Sequence, residues 1–460
     1  MCGSTPNGYD ASSAADPRGA TPNGAGCSCS RGTRVAEEKV IDSTAAHTAR
    51  PITEPIPLEE RHLTGLDVGV LWSTLGVSLL GIVAGAGLIA YGAGLTGALV
   101  AIVLGGVIGA LMLAAAGALG AASGQTGMVV LRRALGTRGS YVPTIMNIAQ
   151  GFGWSTFEIL VIAEAARLVV GVEPRWPFAI IAGALGTLMA VLGPELVVRR
   201  ILRRLMAPLV AVAIVYLLAR LAIDGTSSEL ATAAAGGIGL MAAIDLVVAN
   251  FASWLPLVPD YTRYARRVRG AAVGVAVGFF VASSITFAVG ALAAVTTGEI
   301  ASAEGGVAVM LALPLGLLVA SILVVDESEK AFANIYSTAV SVRNLAPRAP
   351  QTPIAIVIGI IVTIGALTVS LDRFFDFLYL LGAVFVPLFG AVFADRIRPV
   401  APHATIVAWI LGFLLYEWLS PTHILGVADH VDPLLGGAIG ATLPAFLLAA
   451  VVRLAWPARR

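Results

Sequence analysis

Residues 326–330 of this 460-residue chain read Asp-Glu-Ser-Glu-Lys, five consecutive polar side chains of which four are ionisable. They interrupt an apolar stretch, with 313–325 before them and Ala331-Phe332-Ala333-Asn334-Ile335-Tyr336-Ser337 after them. On a helix Asp326 and Lys330 are i,i+4 neighbours and Glu327 and Lys330 are i,i+3, so the ammonium can pair with either carboxylate. Such a cluster in apolar surroundings is costly unless it faces water or a cavity.

A second constellation reads Asn147-Ile148-Ala149-Gln150-Gly151-Phe152-Gly153-Trp154-Ser155-Thr156-Phe157-Glu158. Trp154 and Glu158 are four apart and share one helix face, with Gln150 a turn earlier. An indole plane beside a carboxylate suits a flat heterocycle carrying an amine or a ring N–H, because the ring stacks and the acid accepts the hydrogen bond. Glu158 is equally compatible with a structural pairing to Lys330. Further along, Glu164 and Arg167 read as a pair at the end of the same span.

The third constellation is Asp245-Leu246-Val247-Val248-Ala249-Asn250-Phe251-Ala252-Ser253-Trp254-Leu255-Pro256-Leu257-Val258-Pro259-Asp260-Tyr261. Pro256 has no N–H and frees carbonyls one turn earlier, around Ala252 and Ser253. Asp245, Asn250 and Ser253 in one apolar span argue for a functional site. The stretch Leu71-Trp72-Ser73-Thr74-Leu75-Gly76-Val77-Ser78-Leu79-Leu80-Gly81 is glycine-rich without proline, which by itself predicts close helix packing. Taken together, glycine and proline interruptions in the first and sixth spans point to a binding site between two repeats.

The chemistry of enzymes is missing. The histidines are His47, His62, His403, His423 and His430, none in a metal-binding His/Glu spacing within an apolar span. Cys2, Cys27 and Cys29 cluster near the N-terminus, so no disulfide framework or metal site is expected. No GxxxxGK[ST] loop occurs, which argues against ATP-driven transport by this chain alone.

The elements that must carry these residues are membrane helices. The chain is 57% hydrophobic and 12% charged, with a mean hydropathy of +0.88; soluble domains carry roughly 25% charged residues. The remaining apolar surface must face lipid, which disfavours a soluble enzyme, a nucleic-acid binder or a secreted scaffold. Apolar runs lie near 67–91, 95–119, 141–170, 176–193, 205–223, 237–258, 270–294, 313–343, 353–369, 373–394, 402–420 and 433–454. Each suits a bilayer core needing roughly 20 residues per helix.

Arginines distribute to alternate loops: Arg132, Arg133 and Arg138; Arg199, Arg200, Arg203 and Arg204; Arg263, Arg266, Arg267 and Arg269; Arg343 and Arg348; Arg396 and Arg398. The positive-inside rule then gives twelve spans with both termini cytoplasmic. A loop at 326–330 would invert every later span, so those charges belong within the eighth helix. Residues 1–60, rich in Gly, Ser, Thr, Pro and Ala, read as a disordered cytoplasmic tail without a signal peptide.

Together these residues resemble the nucleobase–cation symporter family, whose members carry cytosine, purines, allantoin, hydantoins or hydroxymethylpyrimidine. The likeness runs from about Pro57 to Arg398. It rests on Arg138-Gly139-Ser140, Gln150-Gly151-Phe152-Gly153-Trp154, the Ser253–Tyr264 string, Asn334-Ile335-Tyr336-Ser337 and Val384-Phe385-Val386-Pro387-Leu388-Phe389-Gly390 with Ala394-Asp395. Asp245 with the Ser253–Tyr264 string, and the Val384–Gly390 run, are most similar to the cytosine and hydroxymethylpyrimidine permease branch.

The resemblance implies an all-α integral membrane protein of leucine-transporter-like fold. A transport core of two inverted five-helix repeats would span 61–400, with two further helices in 401–460. It implies substrate contacts from Trp154, Glu158, Gln150, Phe251, Ser253, Asn334 and Ser78. It implies an ion position between the first and eighth helices, near Thr74, where this chain has Asp326, Glu329 and Lys330. An ammonium there departs from sodium-coupled relatives and favours a proton over Na+ as coupling ion.

The expectation is therefore a plasma-membrane permease that imports a nucleobase-like heterocycle by alternating access. It has no catalytic residue, resident metal or cofactor, and acts as a monomer whose partners are a small solute and the bilayer. An amino-acid transporter of the same fold is the rival; it would bind a substrate carboxylate at a helix N-terminus in the first span.

Overall fold

In hydrocarbon each backbone amide needs a partner within its own segment, so long apolar runs become helices. The computed structural model describes residues 51, 53–90, 92–193, 206–224, 239–297, 311, 314–399, 401–420 and 439–457. The expected tail up to residue 50, the arginines from Arg199 to Arg204, His423, His430 and the start of the last expected span lie outside them.

Within the described residues the elements are α1 (Gly65–Gly76), α2 (Leu79–Ala90), α3 (Gly94–Ser123), α4 (Gly127–Val130) and α5 (Arg132–Gly139). They continue as α6 (Tyr141–Val170), α7 (Trp176–Leu192), α8 (Ala207–Asp224), α9 (Leu240–Ser253), α10 (Val258–Thr262) and α11 (Val268–Thr297). The chain ends with α12 (Gly316–Leu345), α13 (Gln351–Thr368), α14 (Phe374–Ile397), α15 (Pro402–Leu419) and α16 (Thr442–Ala455). Among the described residues five helices are long and apolar enough to cross a bilayer, or six when α1 and α2, bent by 56°, count as one span. Leu111, Ile181, Val212, Ile360 and Leu447 stand exposed, as lipid-facing residues do. The interior, by contrast, holds buried charge. The protein is a multi-pass membrane protein.

The charged run at 326–330 lies inside a continuous helix, as expected: α12 carries it without a break. The packing forms two groups. In one, α11 packs against α1, α2 and α3, with α9 against α3; in the other, α12 packs against α6 and α7, and α7 against α13. Close approach within the first group depends on small residues. A Cβ at Gly85 would lie 2.0 Å from the Phe287 carbonyl oxygen, so glycine is required there for α2 to touch α11.

Residues 53–60 depart from the expected tail, because they are tied to the helical body. The Ile56 amide donates to the Gly124 carbonyl at 2.9 Å, and the buried Arg61 donates to the carbonyls of Ile56 (3.0 Å) and Ala121. Leu63 and Ala265 then form a parallel bridge. The composition of this segment is loop-like, but one arginine that satisfies several carbonyls holds it down. At the other end of α6, Glu164 pairs with Arg167 (3.0 Å), as expected, and also with Arg175 (2.7 Å).

Candidate functional site

The first span breaks, which its glycines alone did not predict. Val77 is extended (φ −84°, ψ 122°) and ends α1; α2 restarts at Leu79. A restarted helix exposes amides that lack an intrahelical acceptor. Here the Leu79 amide donates to Glu327 Oε2 at 2.9 Å, and the Ser78 hydroxyl donates to Glu327 Oε1 at 2.5 Å. The glycines around the break do pack closely, as at Gly85. The break itself is stabilised by a carboxylate about 250 residues away.

The second interruption falls where Pro256 predicts. α9 stops at Ser253, residues 254–257 form turns, and α10 begins at Val258. The Ser253 carbonyl, freed at the break, accepts a hydrogen bond from Gln150 Nε2 at 2.7 Å, and Gln150 also reaches Asn147 at 3.1 Å. Gln150 thus ties α6 to the unwound segment. The Ser253 hydroxyl donates to the Asn250 carbonyl at 2.6 Å.

A narrow cavity lies between the two breaks. It is lined by Leu75, Gly76, Ser78, Leu80 and Gly81 from the first span, Trp154 and Glu158 from α6, Asn250 and Trp254 from the second break, and Phe279, Ser283 and Phe287 from α11. Trp154 and Trp254 have ring centroids 6.1 Å apart with planes tilted by 35°. Glu158 is buried and its Oε2 has no hydrogen-bond partner, an unspent acceptor on the cavity wall.

Of the expected substrate residues, Trp154, Glu158 and Ser78 line this cavity, whereas Gln150, Phe251, Ser253 and Asn334 do not. Phe251 packs edge-on against Phe279 at 4.9 Å and fills the space over Gly109. Trp254 takes the place in the wall that was assigned to Phe251. The turn after Ser253 swings residue 254 inward, and the proline two positions later is the local signal that such a turn exists. The Asn334 side-chain Nδ2 donates to the Lys330 carbonyl, one turn back in α12, at 3.1 Å.

Asp245 is also not at the cavity. Its carboxylate accepts hydrogen bonds from the Ala441 and Thr442 amides, the latter at 3.1 Å. It caps α16, beside Gly440, which has φ +69°. The intramembrane charge read as functional is here a fastening for the last helix.

The charged run of α12 meets the first break from both sides. Thr74 Oγ1 donates to Glu329 Oε1 at 2.8 Å, before the break; Glu327 holds Ser78 and Leu79 after it. Lys330 Nζ pairs with Asp326 and lies 3.9 Å from Glu327 Oε2. Glu158, Asp326, Glu327, Glu329 and Lys330 are all at most 2% exposed. Four carboxyl groups thus face one ammonium in a water-poor interior, and Asp326 Oδ1 and Glu329 Oε2 have no hydrogen-bond partner. An unbalanced buried charge of this size is costly. The family resemblance implies no coupling or binding role for Glu327. Its i,i+3 spacing to Lys330 was the available signal.

Known proteins support the same assignment. Residues 55–406 match the family model described as permease for cytosine/purines, uracil, thiamine, allantoin. The cytosine permease of Escherichia coli strain K12 is 24% identical over 358 residues, covering 74% of this chain and 81% of that protein. Among solved structures, Mhp1, a nucleobase-cation-symport-1 family transporter in a closed conformation with bromovinylhydantoin bound, aligns with TM-score 0.71 and 18% identity. That alignment covers 88% of this chain and 94% of Mhp1. MhsT in complex with L-phenylalanine aligns with TM-score 0.53 and 16% identity, over 84% and 97% of the two chains. These likenesses carry the fold, and the family match carries membrane transport of a small molecule rather than catalysis. This chain belongs to the family of permeases for cytosine/purines, uracil, thiamine and allantoin, the nucleobase:cation symporters.

Proposed function

We propose that this permease imports a neutral nucleobase-like heterocycle, cytosine, a purine or hydroxymethylpyrimidine, across the plasma membrane by alternating access. The observation that carries this reading is the unpartnered Glu158 Oε2 in a cavity walled by Trp154 and Trp254. A flat ring stacks on indoles, and its amine or ring N–H donates to the acid. Twelve spans in two inverted five-helix repeats plus two C-terminal helices, both termini cytoplasmic and a monomeric protein complete the proposal. The interruptions at Val77–Ser78 and Trp254–Leu257 support the repeat, since they stand in the first and sixth spans.

Coupling is to the proton rather than to sodium in this reading. Lys330, paired with Asp326 and neighbour to Glu327, supplies the positive charge at the break in the first span, and the surplus carboxyl groups around it take up and release protons. The hydrogen bond from the Leu79 amide to Glu327 weighs against the amino-acid alternative, which would place a substrate carboxylate at that helix end.

The test is uptake of labelled cytosine into vesicles holding the purified protein, with sodium replaced by choline and an inward proton gradient imposed. Competition by adenine, hydroxymethylpyrimidine and leucine runs in parallel. Accumulation without sodium, blocked by a heterocycle and indifferent to leucine, supports the reading. Accumulation that requires sodium ends the proton assignment, and competition by leucine alone ends the substrate assignment.

A further inference from the structure

The N-terminus of α2 is a helix end of the kind that binds anions: its first amides lack intrahelical acceptors and carry the positive end of the helix dipole. It opens at the wall of the cavity, since Ser78, Leu80 and Gly81 all line it. Glu158, with its unpartnered Oε2, faces this cavity. Yet the helix end is already occupied. Glu327 Oε2 accepts from the Leu79 amide at 2.9 Å, Glu327 Oε1 accepts from the Ser78 hydroxyl at 2.5 Å, and Ser78 Oγ takes the Leu80 amide at 3.1 Å.

We propose that Glu327 is a specificity-determining residue, a built-in anion that fills the substrate-carboxylate position at the start of α2 and so excludes negatively charged ligands from the permease. The role rests on the transporter reading above and deepens it. A carboxylate on a substrate meets two obstacles here. The amide that would receive it is taken, and the Glu327 carboxylate that takes it repels it. A ligand without negative charge meets neither. The Glu327 carboxylate is held by backbone, hydroxyl and the neighbouring Lys330 ammonium, so it stays in place as the ligand exchanges.

Removing the side chain recreates the anion site. Glu327→Ala leaves the Leu79 amide without a partner beside a space the size of a small carboxylate. The experiment follows the melting temperature of the purified full-length protein with sodium formate or with sodium chloride at equal concentration. Glu327→Ala should melt lower than wild type and recover by roughly 2 °C or more in formate but not in chloride, as a ligand of the folded state does. Wild type should not respond to formate. A variant indifferent to formate overturns the proposal, as does a wild type that formate stabilises equally.

Where Glu327→Ala cannot be recovered, Glu327→Gln keeps the volume and an acceptor for Leu79 but removes the charge. Thermal stabilisation by uracil is then compared with that by its 6-carboxylate, orotate. Wild type should prefer uracil by at least about tenfold in half-saturating concentration, the equivalent of 1.4 kcal/mol, and the variant should lose most of that preference. Equal selectivity in both proteins sinks the idea. Formate rescue in a protein that no heterocycle stabilises would instead retain the role of Glu327 at the helix end and remove the nucleobase reading.

Discussion

Thr74 donates its hydroxyl proton to Glu329 at 2.8 Å, joining residues 255 positions apart in the chain. Four residues later Ser78 does the same to Glu327. The two carboxylates of α12 therefore grip the first span on either side of its bend, with Lys330 one position beyond Glu329 on the same helix. In the proton coupling proposed above, a change of charge at Glu329 loosens the half-helix before the bend while Glu327 keeps hold of the one after it.

Neutralising one side of that grip should separate transport from coupling. Glu329→Gln keeps an acceptor for Thr74 but not the charge. Proton-driven accumulation should fall by an order of magnitude, about 1.4 kcal/mol of lost coupling, while exchange of labelled for unlabelled substrate at equal pH continues. Vesicle uptake under both conditions checks it; parallel loss of both activities would place Glu329 in the fold or the binding site instead.

Lys330→Met should be more damaging to stability. It leaves Asp326 buried without its ammonium, a loss of roughly 3–5 kcal/mol for breaking a buried pair. The double variant Lys330→Met with Asp326→Asn should recover part of that loss, because it also removes the carboxylate that the ammonium pairs with. Thermal melting of wild type, Lys330→Met, Asp326→Asn and the double variant decides it, and additive losses would argue against the pair.

The cavity walls should respond selectively. Glu158→Gln should weaken the best heterocycle by up to about tenfold, in line with roughly 0.5–1.5 kcal/mol for a hydrogen bond. Trp254→Ala and Trp154→Ala should each weaken it at least about tenfold through lost stacking. Phe251→Leu should leave affinity within about threefold while lowering the melting temperature, since Phe251 packs on Phe279 and Gly109. Binding isotherms on the four variants test the division; an affinity loss confined to Phe251→Leu would reverse it.

Asp245→Ala should act on the last helix alone. It deprives the Ala441 and Thr442 amides of their acceptor, at about 1–3 kcal/mol for buried donors left unsatisfied. Melting temperature should fall with substrate affinity unchanged. Faster hydrogen exchange at the start of α16 would locate the effect, and a matching loss of affinity would return Asp245 to the binding site.

The features of this protein that were legible in the sequence are those whose physics is local. Pro256 lacks an N–H wherever it sits, so it ends α9 without help from any partner. The charge of residues 326–330 had to lie in a helix because a loop there would have scrambled the arginine pattern, and α12 indeed runs through it. Trp154 and Glu158 share a helix face by spacing alone. The break at Val77–Ser78, the inward turn of Trp254 in place of Phe251, and the diversion of Asp245 to α16 were decided by tertiary structure. Each depends on a hydrogen bond or packing contact between segments far apart in sequence, as between Leu79 and Glu327 or Asp245 and Thr442. A residue's type records what it is able to bond, but only the folded chain brings the partner within hydrogen-bond distance, and in a medium without water that partner determines which polar groups are structural and which remain free for a ligand.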